Sequence, residues 1–85
     1  MKKKIAILGS TGSIGTSTLD VIKKNKNLFS IVLLVANNNY KKLAKQAVEF
    51  SAQNVLIKNE KYYAKVKNIL KGKKIKVCYG NTPIN

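Results

Sequence analysis

Histidine, arginine and tryptophan are absent from this chain of 85 residues, which has one cysteine, one proline and three acidic residues. A lone Cys78 cannot close an internal disulfide, and with no second cysteine or histidine it cannot begin a metal site. It reads as a small apolar strand residue in a reducing, cytoplasmic setting. The carboxylates, Asp20, Glu49 and Glu60, are scattered over helical stretches, where solvated or helix-supporting roles suit them. Three such groups do not make an octahedral oxygen site, so no metal chemistry is expected within the chain. Long apolar runs are also missing: nothing approaches the roughly 20 residues that cross a bilayer. The basic opening and the run 5–8 end at Gly9, short of the roughly 7 to 15 apolar residues of an export signal. A soluble protein with no membrane partner follows.

The scarcity of acid leaves a net charge of +14. In a small chain that charge raises the question of nucleic acid. All 17 basic residues are lysine, however, and they are spread over the whole length. Base readout and bidentate phosphate contacts favour arginine. Together with the abundance of asparagine and isoleucine, this points to a biased codon supply, and no nucleic-acid partner is expected. A basic nucleic-acid binder stays as a third reading, testable by the salt sensitivity of its association with oligonucleotides.

The apolar pattern alternates between short runs and helical spacing. Residues 4–8 form a compact run ending in glycine, a buried first strand. From 13 to about 24 the period becomes helical through Ile14, Thr18, Val21 and Ile22, with lysines at the far end, where they suit the helix dipole. Residues 31–36 give a second strand that stops at Asn37, Asn38 and Asn39, residues that favour turns. Residues 40–50 return to helical spacing, with Leu43, Ala44, Ala47 and Val48 on one side. A third strand at 54–58, a third helix at 60–71 closed by Gly72, and a fourth strand at 74–79 complete the order βαβαβαβ. Such alternation predicts an α/β fold: a Rossmann-like parallel sheet with right-handed crossovers, an incomplete doubly wound domain. The tail 80–85 reads as a turn, as at the end of a truncated domain.

The segment Gly9-Ser10-Thr11-Gly12-Ser13-Ile14-Gly15 stands between the first strand and the first helix. Glycine there permits a tight turn, lets backbone N–H groups approach a diphosphate, and removes bulk where helix meets strand. The helix N-terminus adds unpaired donors and a partial positive charge, and Thr11 and Ser13 add hydroxyls. A glycine pattern alone is weak, since a structural turn also explains it. Its place at the first crossover, with a second strand at the right distance, turns the reading toward dinucleotide binding. No GK[ST] ends the run, which excludes a kinase-type phosphate loop.

The end of the second strand bears on which dinucleotide. NAD binders usually carry an acid there to accept from the ribose 2′-hydroxyl. This chain has Asn37, Asn38 and Asn39 instead. The missing carboxylate permits NADP, and the amides, with Lys41 and Lys42, are potential donors to a 2′-phosphate. A solvated turn before an ordinary helix explains the same residues equally well.

The run KKIAILGSTGSIGTSTLDVI, residues 3–22, resembles the opening of the 1-deoxy-D-xylulose 5-phosphate reductoisomerase family, and LVANNNYKKLAKQAVEF, residues 34–50, resembles its second strand, cofactor loop and following helix. The resemblance covers essentially the whole chain and is weakest after Ser51. It implies that residues 1–85 are the amino-terminal part of an NADP-binding domain, with catalytic and C-terminal domains lying outside the chain. The implied parent is an NADPH-dependent oxidoreductase of non-mevalonate isoprenoid biosynthesis, expected to be a cytoplasmic homodimer. It rearranges and reduces 1-deoxy-D-xylulose 5-phosphate, a sugar phosphate, to 2-C-methyl-D-erythritol 4-phosphate, with Mg or Mn as a divalent metal of the full-length protein only. By position, Thr11, Gly12, Ser13 and Ile14 are implied to hold the cofactor's phosphates, with Asn37, Asn38 and Asn39 beside the ribose phosphate. No catalytic residue is expected in this fragment, which should not be active alone. Family members often have glycine and a basic residue where this chain has Asn37 and Asn38. A stand-alone dinucleotide-binding module without catalysis is the competing reading; it should unfold cooperatively by itself, where a cut sheet would expose a strand edge and aggregate.

Overall fold

The computed structural model describes residues 2–80, so the expected turn at the tail lies largely outside the described residues. Four strands, β1 (Lys3–Leu8), β2 (Phe29–Ala36), β3 (Asn54–Ile57) and β4 (Lys76–Tyr79), alternate with helices α1 (Ser13–Lys23), α2 (Tyr40–Phe50) and α3 (Tyr63–Ile69). All strand pairs are parallel and the sheet order is β1-β2-β3-β4. Every crossover therefore steps the same way across the sheet, and right-handed crossovers that step one way lay their helices on one face. A single core joins all three helices to that face. The described residues thus form one wing of a Rossmann-like arrangement.

The register shows how alternating strand residues divide between the faces. Ile7, Leu34, Val55 and Val77 stand side by side, with Ala36 and Ile57 in the next inward row. Against them pack Leu19 and Ile22 from α1, Leu43, Ala44 and Ala47 from α2, and Val66 from α3 with Leu70 at its C-terminal cap. Full burial of a side chain such as Leu34 or Leu43 contributes about 1.5–3 kcal/mol. The row between, Leu8, Val35, Leu56 and Cys78, faces the other way. β2 carries a register shift opposite Ile5 and Ala6, with Val32 as the extra residue.

Several boundaries differ from the sequence expectation. β2 begins at Phe29, because Lys3 and Lys4 of β1 extend the pairing to Phe29 and Ser30. The third helical stretch opens as a 3-10 turn, Glu60–Tyr62, and its α-helical part is shorter than the pattern suggested. The inner face of α1 is Gly15, Leu19 and Ile22, while Ile14 is 83% exposed and Val21 is also exposed. Packing Gly15 against the strand end forces Ile14, one residue or about 100° around the helix, to the outside. On α2 the fourth inward residue is Gln46, and Val48 is exposed.

Candidate functional site

Parallel strands bring the turns after β1, β2 and β3 to one edge of the sheet. Backbone bonds lock the three together: Gly9 and Ser10 donate to the Val35 carbonyl at 2.9 Å, and Asn59 donates to the Asn37 carbonyl at 3.0 Å. Each glycine of the first turn has a separate task. Gly9 adopts φ +77°, the left-handed region that closes the turn. Gly12 bounds α1 as its N-cap. At Gly15 a side chain would collide with the Gly9 carbonyl oxygen and come within 2.7 Å of the Ser10 Cα, so only glycine lets helix meet strand here.

The amides of this turn divide into two sets. Those of Gly9, Ser10 and Gly12 point inward, the last to the Gly9 carbonyl at 3.1 Å. Among the described residues, the N–H groups of Thr11, Ser13, Ile14 and Gly15 have no hydrogen-bond partner. No side chain caps α1 and no acid stands in its first turn. Unpaired donors at a helix N-terminus, with the dipole's positive end behind them, suit an anion. Of the four positions expected at the phosphates, Thr11, Ser13 and Ile14 keep a free amide. The fourth, Gly12, has its amide engaged within the turn.

The asparagine turn works through its side chains. Asn39 caps α2 by accepting from the Lys42 amide at 3.3 Å, and the Asn38 carbonyl accepts from the Tyr40 amide at 2.7 Å. The Asn38 side chain accepts from Asn59 Nδ2 at 2.8 Å. All three asparagines, Asn37, Asn38 and Asn39, are exposed beside the glycine turn. No acid occupies the first turn of α2. The turn itself carries no carboxylate that would repel a 2′-phosphate.

Helix α2 also holds the glycine turn from behind. Buried Gln46 donates its Nε2 to the Ser10 carbonyl at 2.9 Å, and Lys42 Nζ lies 3.4 Å from the Thr11 carbonyl. Lys42 is therefore tied to the loop backbone, whereas the sequence left it as a candidate phosphate donor. By holding the Ser10 carbonyl toward α2, Gln46 leaves the Thr11 N–H of the same peptide unit on the opposite side. Among the described residues the Ser10 hydroxyl and the Gln46 amide oxygen are buried without partners, a cost on the order of 1–3 kcal/mol per group. Gln46 and Asn59 were not singled out from the sequence. Gln46 was legible in part, lying three residues after Leu43 on the inward stripe; Asn59 carried the local signal of an N-cap before Glu60, but none of its contact with Asn38. Among the described residues no cluster of His, Cys, Asp or Glu could hold a metal, and no helix is long and apolar enough to cross a membrane.

Comparison with known proteins agrees with this geometry. The family model described as 1-deoxy-D-xylulose 5-phosphate reductoisomerase matches residues 5–85. The chain belongs to this family. Among curated members, the reductoisomerase of Porphyromonas gingivalis is 51% identical over 80 residues, covering 94% of this chain and 21% of its own length. That of Buchnera aphidicola is 48% identical over 84 residues, covering 96% and 21%. Among solved structures, the Zymomonas mobilis reductoisomerase in complex with NADPH superposes with a TM-score of 0.92 at 35% identity, covering 94% of this chain and 21% of that one. A reductoisomerase in complex with NADPH, fosmidomycin and magnesium gives 0.87 at 31% identity, covering 93% and 20%. The chain thus spans about a fifth of the length of the reductoisomerases it matches.

Proposed function

We propose that this chain supplies the NADPH-binding portion of a reductoisomerase that converts 1-deoxy-D-xylulose 5-phosphate to 2-C-methyl-D-erythritol 4-phosphate in isoprenoid biosynthesis. The observation that carries the reading is the set of N–H groups at Thr11, Ser13, Ile14 and Gly15 that have no partner among the described residues, at the start of a helix that no side chain caps. Thr11, Gly12, Ser13 and Ile14 hold the diphosphate, and Asn37, Asn38 and Asn39 flank the adenosine ribose and its 2′-phosphate. NADPH, when bound, supplies the hydride. The residues of this chain bind and orient it, and they include no catalytic group. A divalent metal, Mg or Mn, and the sugar-phosphate substrate belong to parts of the protein beyond the NADP-binding part spanned by residues 1–85.

The family match and the NADPH complex of the Zymomonas mobilis relative support this reading. So does the absence of an acid at the end of β2. A cytoplasmic homodimer is the form we assign to the whole protein, with Cys78 as its reduced strand thiol. Titration calorimetry with NADPH and NADH tests the assignment. Tighter binding of NADPH is expected; a preference for NADH would overturn the role given to Asn37, Asn38 and Asn39, and binding of neither would overturn the function.

A further inference from the structure

An asparagine side chain next to a nucleotide ribose can serve either of two cofactors. Its oxygen accepts from a 2′-hydroxyl, which suits NADH, while its NH2 donates to a 2′-phosphate, which suits NADPH. The two ends have nearly the same shape, so only the partners of the amide decide which one faces outward. At Asn38 the partners leave one answer.

The deciding chain of bonds starts from the backbone. The Lys61 N–H, which can only donate, is directed at Asn59 Oδ1 at 3.1 Å. That fixes the Asn59 amide with its oxygen toward the 3-10 turn and its Nδ2 toward Asn38, where it meets Asn38 Oδ1 at 2.8 Å. Occupying the Asn38 oxygen leaves its NH2 as the free end, exposed at the edge of the sheet and without a partner among the described residues. Both backbones are held as well, Asn59 N to the Asn37 carbonyl at 3.0 Å and Tyr40 N to the Asn38 carbonyl at 2.7 Å. We infer that Asn59 is a positioning residue for nucleotide choice: it holds Asn38 with its donor end outward, so that the asparagine turn selects a 2′-phosphate without a basic residue at position 38. This inference rests on the NADPH reading given above.

The test is a set of variants in the full-length protein, with NADPH and NADH affinities measured by calorimetry and folding checked by circular dichroism. Asn59→Asp keeps an acceptor for the Lys61 amide but offers Asn38 only oxygens, so the Asn38 amide turns over and points its own oxygen outward. The ratio of NADPH to NADH affinity is expected to fall roughly fivefold or more, and about twofold in Asn59→Ala, where the amide is merely released. In an Asn38→Ala background neither change at position 59 should alter the ratio further, because the effect passes through Asn38. An unchanged ratio in Asn59→Asp, or an equal fall with and without Asn38, would overturn the inference; the second result would assign the effect to the new charge. If the unaltered protein binds NADH as tightly as NADPH, the nucleotide reading itself fails, before any variant is made.

Discussion

The two turns that meet at the carboxyl edge of this sheet differ in the groups they leave open. In the glycine turn it is the backbone that stands open, with N–H groups at Thr11, Ser13, Ile14 and Gly15 that have no partner among the described residues. In the asparagine turn the side chains carry the distinction: Asn39 Oδ1 caps α2 and Asn38 Oδ1 accepts from Asn59, which leaves the Asn38 NH2 open. A diphosphate is common to every dinucleotide, so amides aimed at it supply affinity. The ribose 2′ substituent differs between cofactors, so groups beside it supply choice. Affinity and choice should therefore be separable by mutation.

The largest effect is expected at Gly15. In Gly15→Ala the new methyl lies 2.7 Å from the Ser10 Cα, an overpacking that costs about 1–3 kcal/mol. The melting temperature falls and NADPH and NADH are lost together. Next comes Asn38→Asp, which sets a carboxylate against the 2′-phosphate. NADPH binding weakens roughly tenfold, about 1.4 kcal/mol, while NADH is unchanged or tighter because the carboxylate accepts from its hydroxyl. Calorimetry reads both.

Removing the tether behind the glycine turn should touch only affinity. Gln46→Met keeps an unbranched side chain of similar length but loses the donor to the Ser10 carbonyl. Both nucleotides are expected to weaken about equally, by roughly fivefold, the worth of about 1 kcal/mol for one hydrogen bond. A change in their ratio would break the division of labour between the turns. Smallest is Asn39→Ala, which removes the α2 cap. Thermal unfolding should show a loss of about 1 kcal/mol or less, with a smaller fall in the NADPH to NADH ratio than Asn38→Asp gives.

The same comparison explains what could be read from the sequence. The glycine turn was legible because its chemistry is local: the spacing of Gly9, Gly12 and Gly15 encodes a left-handed turn, a side-chain-free start to a helix and a close approach to the strand. Alternation of β-branched runs and helical spacing likewise placed all seven main elements, and Tyr40–Phe50 matched its expected bounds. Tertiary arrangement was less visible. Ile14 and Val21 fit a helical stripe as well as Leu19 does, and only the packing of Gly15 reveals which stripe turns inward. Gln46 lies on the inward stripe of α2, but its partner, the Ser10 carbonyl, is 36 positions away and no local pattern names it. Asn59 is 21 positions from Asn38, and the orientation it imposes exists only once β2 and β3 are paired.

Placing β1 at the end of the strand row has a consequence for the whole site. Leu8, the last residue of β1, is 77% exposed, and β1 pairs on one side only among the described residues. A further parallel strand joining at that border, with its helix on the opposite face, would make the chain reverse direction beside Gly9. In open α/β sheets the connections part at such a reversal and leave a crevice just beyond the strand ends. The glycine turn would then form one lip of that crevice, and the nucleotide's reactive half would extend across it toward whatever the next strand supplies.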